Sequence, residues 1–192
     1  MNNDFWTWLG RISDGISLIL FLAGLVAYLK RENIRHWLTR NRFPKETGLD
    51  NTIQFDALVF TVSKTEVPFW VIEQLKPKHI GLIASQQSLA VAKQIEAFAT
   101  NHQVETLIET IQDPDDPAQS RIAAQKLLED LRKQGCQTVA VELTGGKVTM
   151  SLGAFMAAEE SGLHSLYVST EFDSNYKPIM RTAKILCVSK PH

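Results

Sequence analysis

One stretch, residues 138–169, restricts the fold more than any other part of the sequence. It holds a short apolar run, a turn at residues 144–146 that reads Thr-Gly-Gly, an Ala-rich amphipathic segment over 147–161 and a second apolar run. A strand, a glycine turn, a helix and another strand in this order are typical of a parallel α/β sheet. The chain is therefore expected to fold around a sheet whose strands are joined by helices.

The same alternation runs through the preceding part of the chain. Apolar runs of strand length are separated by segments with helical periodicity, and turn residues such as those of QDPDDP at 112–117 punctuate them. Right-handed crossovers then give an α/β fold with a Rossmann-like, doubly wound, mostly parallel sheet. The predicted strands are 55–62, 79–84, 104–110, 138–143 and 165–168, the predicted helices are 67–75, 88–99, 118–134 and 147–161, and 183–188 is predicted to form a final edge hairpin.

The Thr144-Gly145-Gly146 turn has the chemistry of an anion site. Two glycines let the main chain turn sharply and approach a ligand closely, and the helix that follows presents unpaired N–H groups at the positive end of its dipole. A phosphate fits there, with Lys147 as a cation and Thr144 and Thr149 as hydroxyl donors. Glycine turns also join strand to helix in α/β proteins that bind nothing there, and that interpretation stays open. The spacing matches neither a P-loop nor a dinucleotide-binding G-x-G-x-x-G motif.

In doubly wound sheets, ligands lie beyond the carboxyl ends of the strands, where the strand order reverses. The residues that follow the predicted strands are small or polar and include two lysines. This composition suits a phosphate backbone with adenine edges better than an apolar metabolite. The predicted ligand-binding residues are Ser63, Lys64, Thr65, Ser85, Gln86, Gln112, Asp113, Thr144, Gly145, Gly146, Lys147, Thr149 and Met150.

Composition argues against several classes of function. The formal net charge of -1 disfavours a broad contact with a long nucleic acid, which needs a basic face. The two cysteines, Cys136 and Cys187, are far apart, and the five histidines are scattered, so neither a disulfide framework nor a metal site is predicted. We expect no metal and no cofactor.

Residues 1–43 differ in kind from the rest. Residues 16–29 are uncharged and apolar, and extending a helix back to Trp6 lengthens it toward the roughly 30 Å that a bilayer core requires. A signal peptide is disfavoured because Asp4 precedes the stretch and no small-residue cleavage site follows it. A soluble amphipathic helix is the other rival. We predict a transmembrane helix with a basic cytoplasmic extension to residue 43, then a linker over 44–51.

Charges beside the apolar stretch predict its orientation. Lys30 and Arg31 follow it directly, so the positive-inside rule places the soluble domain, 52–192, in the cytoplasm and the N-terminus outside. Arg11 and Asp14 can pair on one helical face, and ionisable groups this close to a span usually face a bundle interior or a water path. One helix cannot enclose a pore, so this interpretation requires a homo-oligomer. The predicted membrane or pore residues are Arg11, Asp14, Ser17, Phe21, Gly24 and Tyr28.

Residues 143–151, LTGGKVTMS, resemble the ligand loop of CARF domains, the CRISPR-associated Rossmann-like sensors of cyclic oligoadenylate. In that family the loop commonly reads TGG, then Thr-Lys, then a residue followed by Met and a small residue. Here Lys147 stands in the usual Thr place and Val148 in the usual Lys place, while Met150 and Ser151 match. The resemblance covers roughly residues 52–190.

The resemblance implies a non-enzymatic sensor that binds cyclic tetra-adenylate across a two-fold dimer of CARF domains. With its N-terminal helix, the chain is similar to the CRISPR-associated membrane effectors of type III antiviral defence. In those proteins, ligand binding is thought to rearrange the helices into an ion-conducting pore that depolarises the host. A tetramer in the inner membrane of a prokaryote is thereby implied. The alternatives are a membrane-tethered ring nuclease that degrades cyclic oligoadenylate and a membrane-anchored nucleotide-binding module of another signalling system.

Overall fold

The computed structural model describes residues 16, 20, 48–49, 52–175 and 177–190 of a chain that divides into two units, Met1–Asn41 and Arg42–His192. In the first unit, Ile16 and Leu20 are helical and exposed. No helix within the described residues is long and apolar enough to cross a membrane. Most of the predicted transmembrane helix lies outside the described residues, as do the predicted pore residues Arg11, Asp14, Ser17, Phe21, Gly24 and Tyr28.

The second unit alternates strands with helices, as predicted. Its elements in chain order are β1 (Ala57–Thr61), α1 (Glu66–Leu75), β2 (His79–Ser85), α2 (Leu89–Asn101), β3 (Glu105–Ile111), α3 (Pro117–Lys133), β4 (Val139–Glu142), α4 (Val148–Glu160), β5 (His164–Phe172) and β6 (Pro178–Ser189). The strands form a six-stranded sheet in the order β3-β2-β1-β4-β5-β6. All neighbouring pairs are parallel except β5 and β6, so the predicted Rossmann-like, mostly parallel sheet is confirmed.

The strands β5 and β6 extend further than the sequence predicts. The predicted strand over 165–168 runs on to Phe172, and the predicted segment over 183–188 begins at Pro178. The two strands pair with each other as an antiparallel hairpin, and this pairing continues past their apolar stretches with a register shift between Ser169 and Glu171. Pairing between strands, rather than apolar patterning, sets their ends.

Two hydrophobic clusters fill the core, one on each face of the sheet. The central strand β1 is buried along its whole length, with Leu58 and Phe60 in one cluster and Ala57 and Val59 in the other. The Phe60 cluster includes side chains of α1 and α2, and the Val59 cluster includes side chains of α3 and α4. Successive residues of a strand point to opposite faces, so a central strand covered on both faces reads as a continuous apolar run.

Helices α3 and α4 pack against each other at very short range. A Cβ atom on Gly153 would lie 2.2 Å from the carbonyl oxygen of Pro117 and 2.9 Å from the backbone N of Arg121. Only glycine fits at this contact. The close crossing holds α4 against α3, and α4 begins directly after the predicted anion-binding turn.

Candidate functional site

The carboxyl edge of the sheet between β1 and β4 is the place where the strand order reverses. The chain leaves β1 toward α1 on one face and leaves β4 toward α4 on the other. The two departing loops are hydrogen-bonded to each other: the Ser63 hydroxyl donates to the carbonyl oxygen of Gly145, and the Gly146 N–H donates to Thr61 Oγ1 at 3.0 Å. The predicted ligand loop is therefore anchored on the end of the central strand.

The two glycines of the loop are required by this packing. A Cβ atom on Gly145 would lie 2.3 Å from the carbonyl oxygen of Thr61, and one on Gly146 would lie 2.6 Å from the Thr61 Cβ. Positive φ values among the described glycines occur at Gly135 and Gly162, so the loop glycines do not serve a left-handed turn. Their close approach is to β1, whereas the sequence suggested an approach to a ligand.

A buried carboxylate holds the start of the loop. Glu142, at the end of β4, is 0% exposed, and its Oε1 accepts the Thr144 N–H at 2.9 Å and also the Thr144 hydroxyl. The Thr144 oxygen in turn accepts the Val168 N–H of β5 at 2.7 Å. Burial raises the pKa of Glu142 to about 7, although the hydrogen bonds from Thr144 oppose the shift. One carboxylate thus ties together β4, the loop and β5.

The first turn of α4 contacts the acidic loop that precedes α3. Lys147 occupies the N-cap position, and its ammonium pairs with the carboxylate of Asp115 at 2.8 Å. The Thr149 hydroxyl donates to the carbonyl oxygen of Pro114 at 2.7 Å. The side chain of the N-cap residue, Lys147, makes no capping hydrogen bond to this turn. Since the Thr144 hydroxyl donates to Glu142, the protein itself engages the cation and both hydroxyls that the sequence assigned to a phosphate.

Two cavities lie at this edge, one on each side of the glycine loop and both bordered by Ser63. The β5-side cavity has a volume of about 240 Å³ and is lined by Ser63, Lys64, Glu66, Val67, Thr144, Gly145, Tyr167, Val168, Ser169, Thr170, Phe172 and Pro178. The β2-side cavity has a volume of about 190 Å³ and is lined by Val62, Ser63, Ser85, Gln87, Ser88, Pro114, Lys147 and Met150.

The structure brings about half of the predicted ligand-binding residues to the cavities. Ser63, Lys64, Thr144 and Gly145 line the β5-side cavity, and Ser85, Lys147 and Met150 join Ser63 at the β2-side cavity. The remaining predicted residues border neither cavity: Thr65 precedes α1, Gln86 is exposed, Gly146 bonds to Thr61, Thr149 bonds to Pro114, and the N–H groups of Gln112 and Asp113 both donate to Gln119 Oε1.

Sequence reasoning missed the wall that β5 and β6 supply. Tyr167 and Phe172 are 44% and 62% exposed, and they border the β5-side cavity together with Pro178. Tyr167 lies inside the predicted strand 165–168, whereas Phe172 and Pro178 lie in segments whose strand character depends on the pairing of β5 with β6. Glu142 was missed as well, although a lone acidic residue inside the apolar run VAVEL was a signal that could have singled it out.

The lining of the two cavities has the chemistry of an anion site. No group of three or more His, Cys, Asp or Glu side chains that could hold a metal ion occurs among the described residues. The cavities instead combine lysines, serine and threonine hydroxyls and a helix N-terminus, which together can bind phosphate oxygens. The exposed aromatic residues on β5 can take a flat, apolar group beside them.

Comparison with known proteins supports this architecture at the level of fold. No known protein family matches the sequence, and no curated protein matches it. The fold is similar to that of a type III CRISPR defence DNA nuclease activated by cyclic oligoadenylate, with a TM-score of 0.53 and 20% identity over 72% of this chain and 22% of the nuclease.

Two further solved structures share the fold. Can2 from Sulfobacillus thermosulfidooxidans, in complex with cyclic tetra-adenylate, aligns with a TM-score of 0.52 and 19% identity over 59% of this chain and 32% of its own. Csm6 from Enterococcus italicus, bound to cyclic hexa-2'-fluoro-hexa-dAMP, aligns with a TM-score of 0.50 and 17% identity over 65% of this chain and 36% of its own. The chain thus spans about a fifth to a third of the length of these proteins. These likenesses support the predicted Rossmann-like fold.

Proposed function

We propose that the protein is a membrane effector of type III CRISPR antiviral defence that is gated by a cyclic oligoadenylate, with cyclic tetra-adenylate as the ligand. The observation that carries the proposal is the carboxyl-edge site, where a Thr-Gly-Gly loop, an α4 N-terminus and two cavities with Lys64 and Lys147 lie together. Two solved structures that share this fold, those of Can2 and Csm6, contain cyclic tetra-adenylate and cyclic hexa-2'-fluoro-hexa-dAMP. The ring phosphates would lie against the loop, and its bases would reach the β5 wall.

The ligand's symmetry predicts how two copies would share it. A cyclic tetra-adenylate has a two-fold axis, so the same loop from two subunits can bind equivalent halves. The exposed apolar residues Val148, Leu152 and Met156 form one stripe on α4, with exposures of 83%, 51% and 40%. Burying this stripe against a second copy with the two α4 helices parallel would bring two α4 N-termini, and with them two ligand loops, close together.

In this proposal the N-terminal segment converts binding into membrane conductance. Ring binding favours whichever arrangement of the oligomer it fits best, and that arrangement opens an ion-conducting pore between transmembrane helices of a tetramer in the inner membrane. The prediction of the span rests on residues 6–29 of the sequence. The domain itself acts as a sensor and does not cleave the ring.

Calorimetric titration of the purified full chain with cyclic tetra-adenylate tests the binding step. We expect one ring per two chains and a loss of affinity of roughly 10-fold or more in Lys147→Ala, because a charge-assisted phosphate contact is removed. Lys93→Ala is the matched control, since Lys93 is also exposed and also pairs with one carboxylate at 2.8 Å. Absence of heat and of thermal stabilisation in a folded protein would overturn the proposal.

Two further measurements separate the proposal from its alternatives. The full chain in liposomes should release a trapped ion when cyclic tetra-adenylate is added and should not do so with linear tetra-adenylate. Incubation with labelled ring should return intact ring. Linear products at a rate above the buffer blank would instead establish a ring nuclease.

A further inference from the structure

Glu142 is a buried ionisable group that the proposed function leaves unused. It pairs in register with Phe60 of β1 and Leu166 of β5, both of which belong to the core cluster on the α1 face. Thr144, which donates to Glu142, and Val168, which donates to Thr144, both line the β5-side cavity. The carboxylate therefore lies directly beneath the wall of that cavity.

The hydrogen bonding of Glu142 is one-sided. Oε1 accepts both donors of Thr144, whereas Oε2 is buried with no partner among the described residues. A proton on Oε2 leaves the bonds to Oε1 in place, because a neutral carboxyl group still offers Oε1 as an acceptor. Protonation can thus remove the buried charge without releasing the loop.

We infer that Glu142 is a positioning residue for the ligand loop whose protonation is linked to binding of the anionic ring, so that binding takes up a proton. This inference rests on the proposed function. A negative charge buried in a medium of low dielectric repels a phosphate nearby, and the phosphate in turn favours the neutral form of the carboxyl group. By linkage, the ring binds more tightly as the pH falls.

The expected size of the pH effect on binding follows from the pKa of Glu142. The pKa of Glu142 in the free protein is about 7. If the bound ring raises the pKa of Glu142 by roughly one further unit, binding at pH 7.5 takes up about half a proton per site and is about fivefold tighter at pH 6 than at pH 8. The phosphodiesters of the ring lack the second ionisation of a phosphate monoester, which falls near pH 6, and stay charged across this range.

Other ionisable groups near the loop require a matched control. Lys64, Glu66 and Tyr167 border the same cavity, Lys147 and Asp115 lie on the other face, and Arg181 and Lys184 are on β6. The described histidines, His79, His102 and His164, border neither cavity. Glu142→Gln leaves all of these groups in place and removes only the titrating carboxyl, while its amide oxygen can still accept from Thr144.

The test is calorimetric titration of the full chain with cyclic tetra-adenylate at pH 6, 7.5 and 8, in buffers of different ionisation enthalpy. We expect proton uptake and tighter binding at pH 6 in the wild type, and tight binding with almost no uptake in Glu142→Gln. Glu142→Ala, which loses the acceptor for Thr144, should bind weakly at every pH. Equal proton uptake in wild type and Glu142→Gln, or none in the wild type, overturns the inference and leaves the proposed function standing. A folded wild type that binds no ring at any pH overturns both.

Discussion

At the scale of single residues, contacts with the end of β1 determine the position of the Thr-Gly-Gly loop. The Thr61 hydroxyl oxygen accepts a hydrogen bond from the Gly146 N–H, and the Thr61 carbonyl oxygen leaves no room for a Cβ atom at Gly145. The Thr-Gly-Gly loop therefore adopts its position before any ligand arrives. A binding loop that is held in this way loses little conformational entropy when the ligand binds.

Gly145→Ala tests this packing. The added Cβ would lie 2.3 Å from the carbonyl oxygen of Thr61, so backbone must shift, and we expect a loss of about 2 kcal/mol in the free energy of unfolding. Chemical denaturation measures it. Gly48→Ala is the control, because no atom lies within 4 Å of a Cβ built there, and it should change stability by less than about 0.5 kcal/mol. Equal effects in the two variants would contradict the packing argument.

Asp115 competes with any phosphate for Lys147. The pair is 2.8 Å long, but its side chains are 50% and 67% exposed, so its contribution is small, about 0.2 to 1 kcal/mol. Asp115→Asn should accordingly tighten ring binding by roughly 1.5- to 5-fold in the same titration. Asp130→Asn, which weakens an exposed pair with Lys133 away from the site, should leave the affinity unchanged. Weaker binding by Asp115→Asn would mean that Asp115 supports the ligand instead of competing with it.

At the scale of elements, α4 connects the site to a surface. Its N-terminus carries the ligand loop, its inner face packs on α3 through Gly153, and its outer face carries the apolar stripe of Val148, Leu152 and Met156. The ligand loop and the apolar stripe thus lie on one continuous helix that is packed closely on α3. Binding at the loop and contact between copies would therefore affect each other.

Leu152→Glu tests the stripe as a contact between two copies. The two-fold axis would bring the new carboxylates near each other in an apolar contact, so the dimer should weaken by 10-fold or more in dissociation constant. Sedimentation of the full chain at several concentrations measures this. Ala90→Glu introduces the same charge on the exposed face of α2 and should leave association unchanged. Identical association of both variants and the wild type would exclude the stripe from the interface.

At the scale of the whole molecule, the shifted pKa values of two carboxyl groups, Glu142 and Asp56, make the free energy of unfolding depend on pH. The pKa of Glu142 is raised by burial from 4.5 to about 7, so the folded state holds a proton that the unfolded state has lost between these values. Stability should fall as the pH rises from 4.5 to 7, by about 3 kcal/mol, and then level off. Chemical denaturation of the wild type and Glu142→Gln at pH 5 and 8 measures this. The decrease in stability between pH 5 and 8 should be absent in Glu142→Gln. If the decrease persists in that variant, it comes from other titrating groups.

Asp56 affects stability at low pH, and its effect has the opposite sign to that of Glu142. Hydrogen bonds from Thr138 and Gln137 lower the pKa of Asp56 from 3.8 to about 2. Its contribution is therefore present above pH 3.8 and is lost as the pH falls toward 2. The Asp56 side chain is 31% exposed, so solvent screening keeps this contribution small.

The local sequence pattern was enough to predict the sheet, the order of helices and strands, and the loops that meet at the carboxyl edge. Strands that are buried on both faces appear in the sequence as apolar runs, and turns are rich in Gly, Pro and Asp. Only the tertiary structure decided which loop residues face a cavity. Ser63 and Gly145 are 82 positions apart, and Lys147 meets Asp115 across 32. Contacts at that range depend on how helices and strands pack, which no local pattern records. The aromatic wall on β5 and the raised pKa of Glu142 arise in the same way, from strand pairing and from burial.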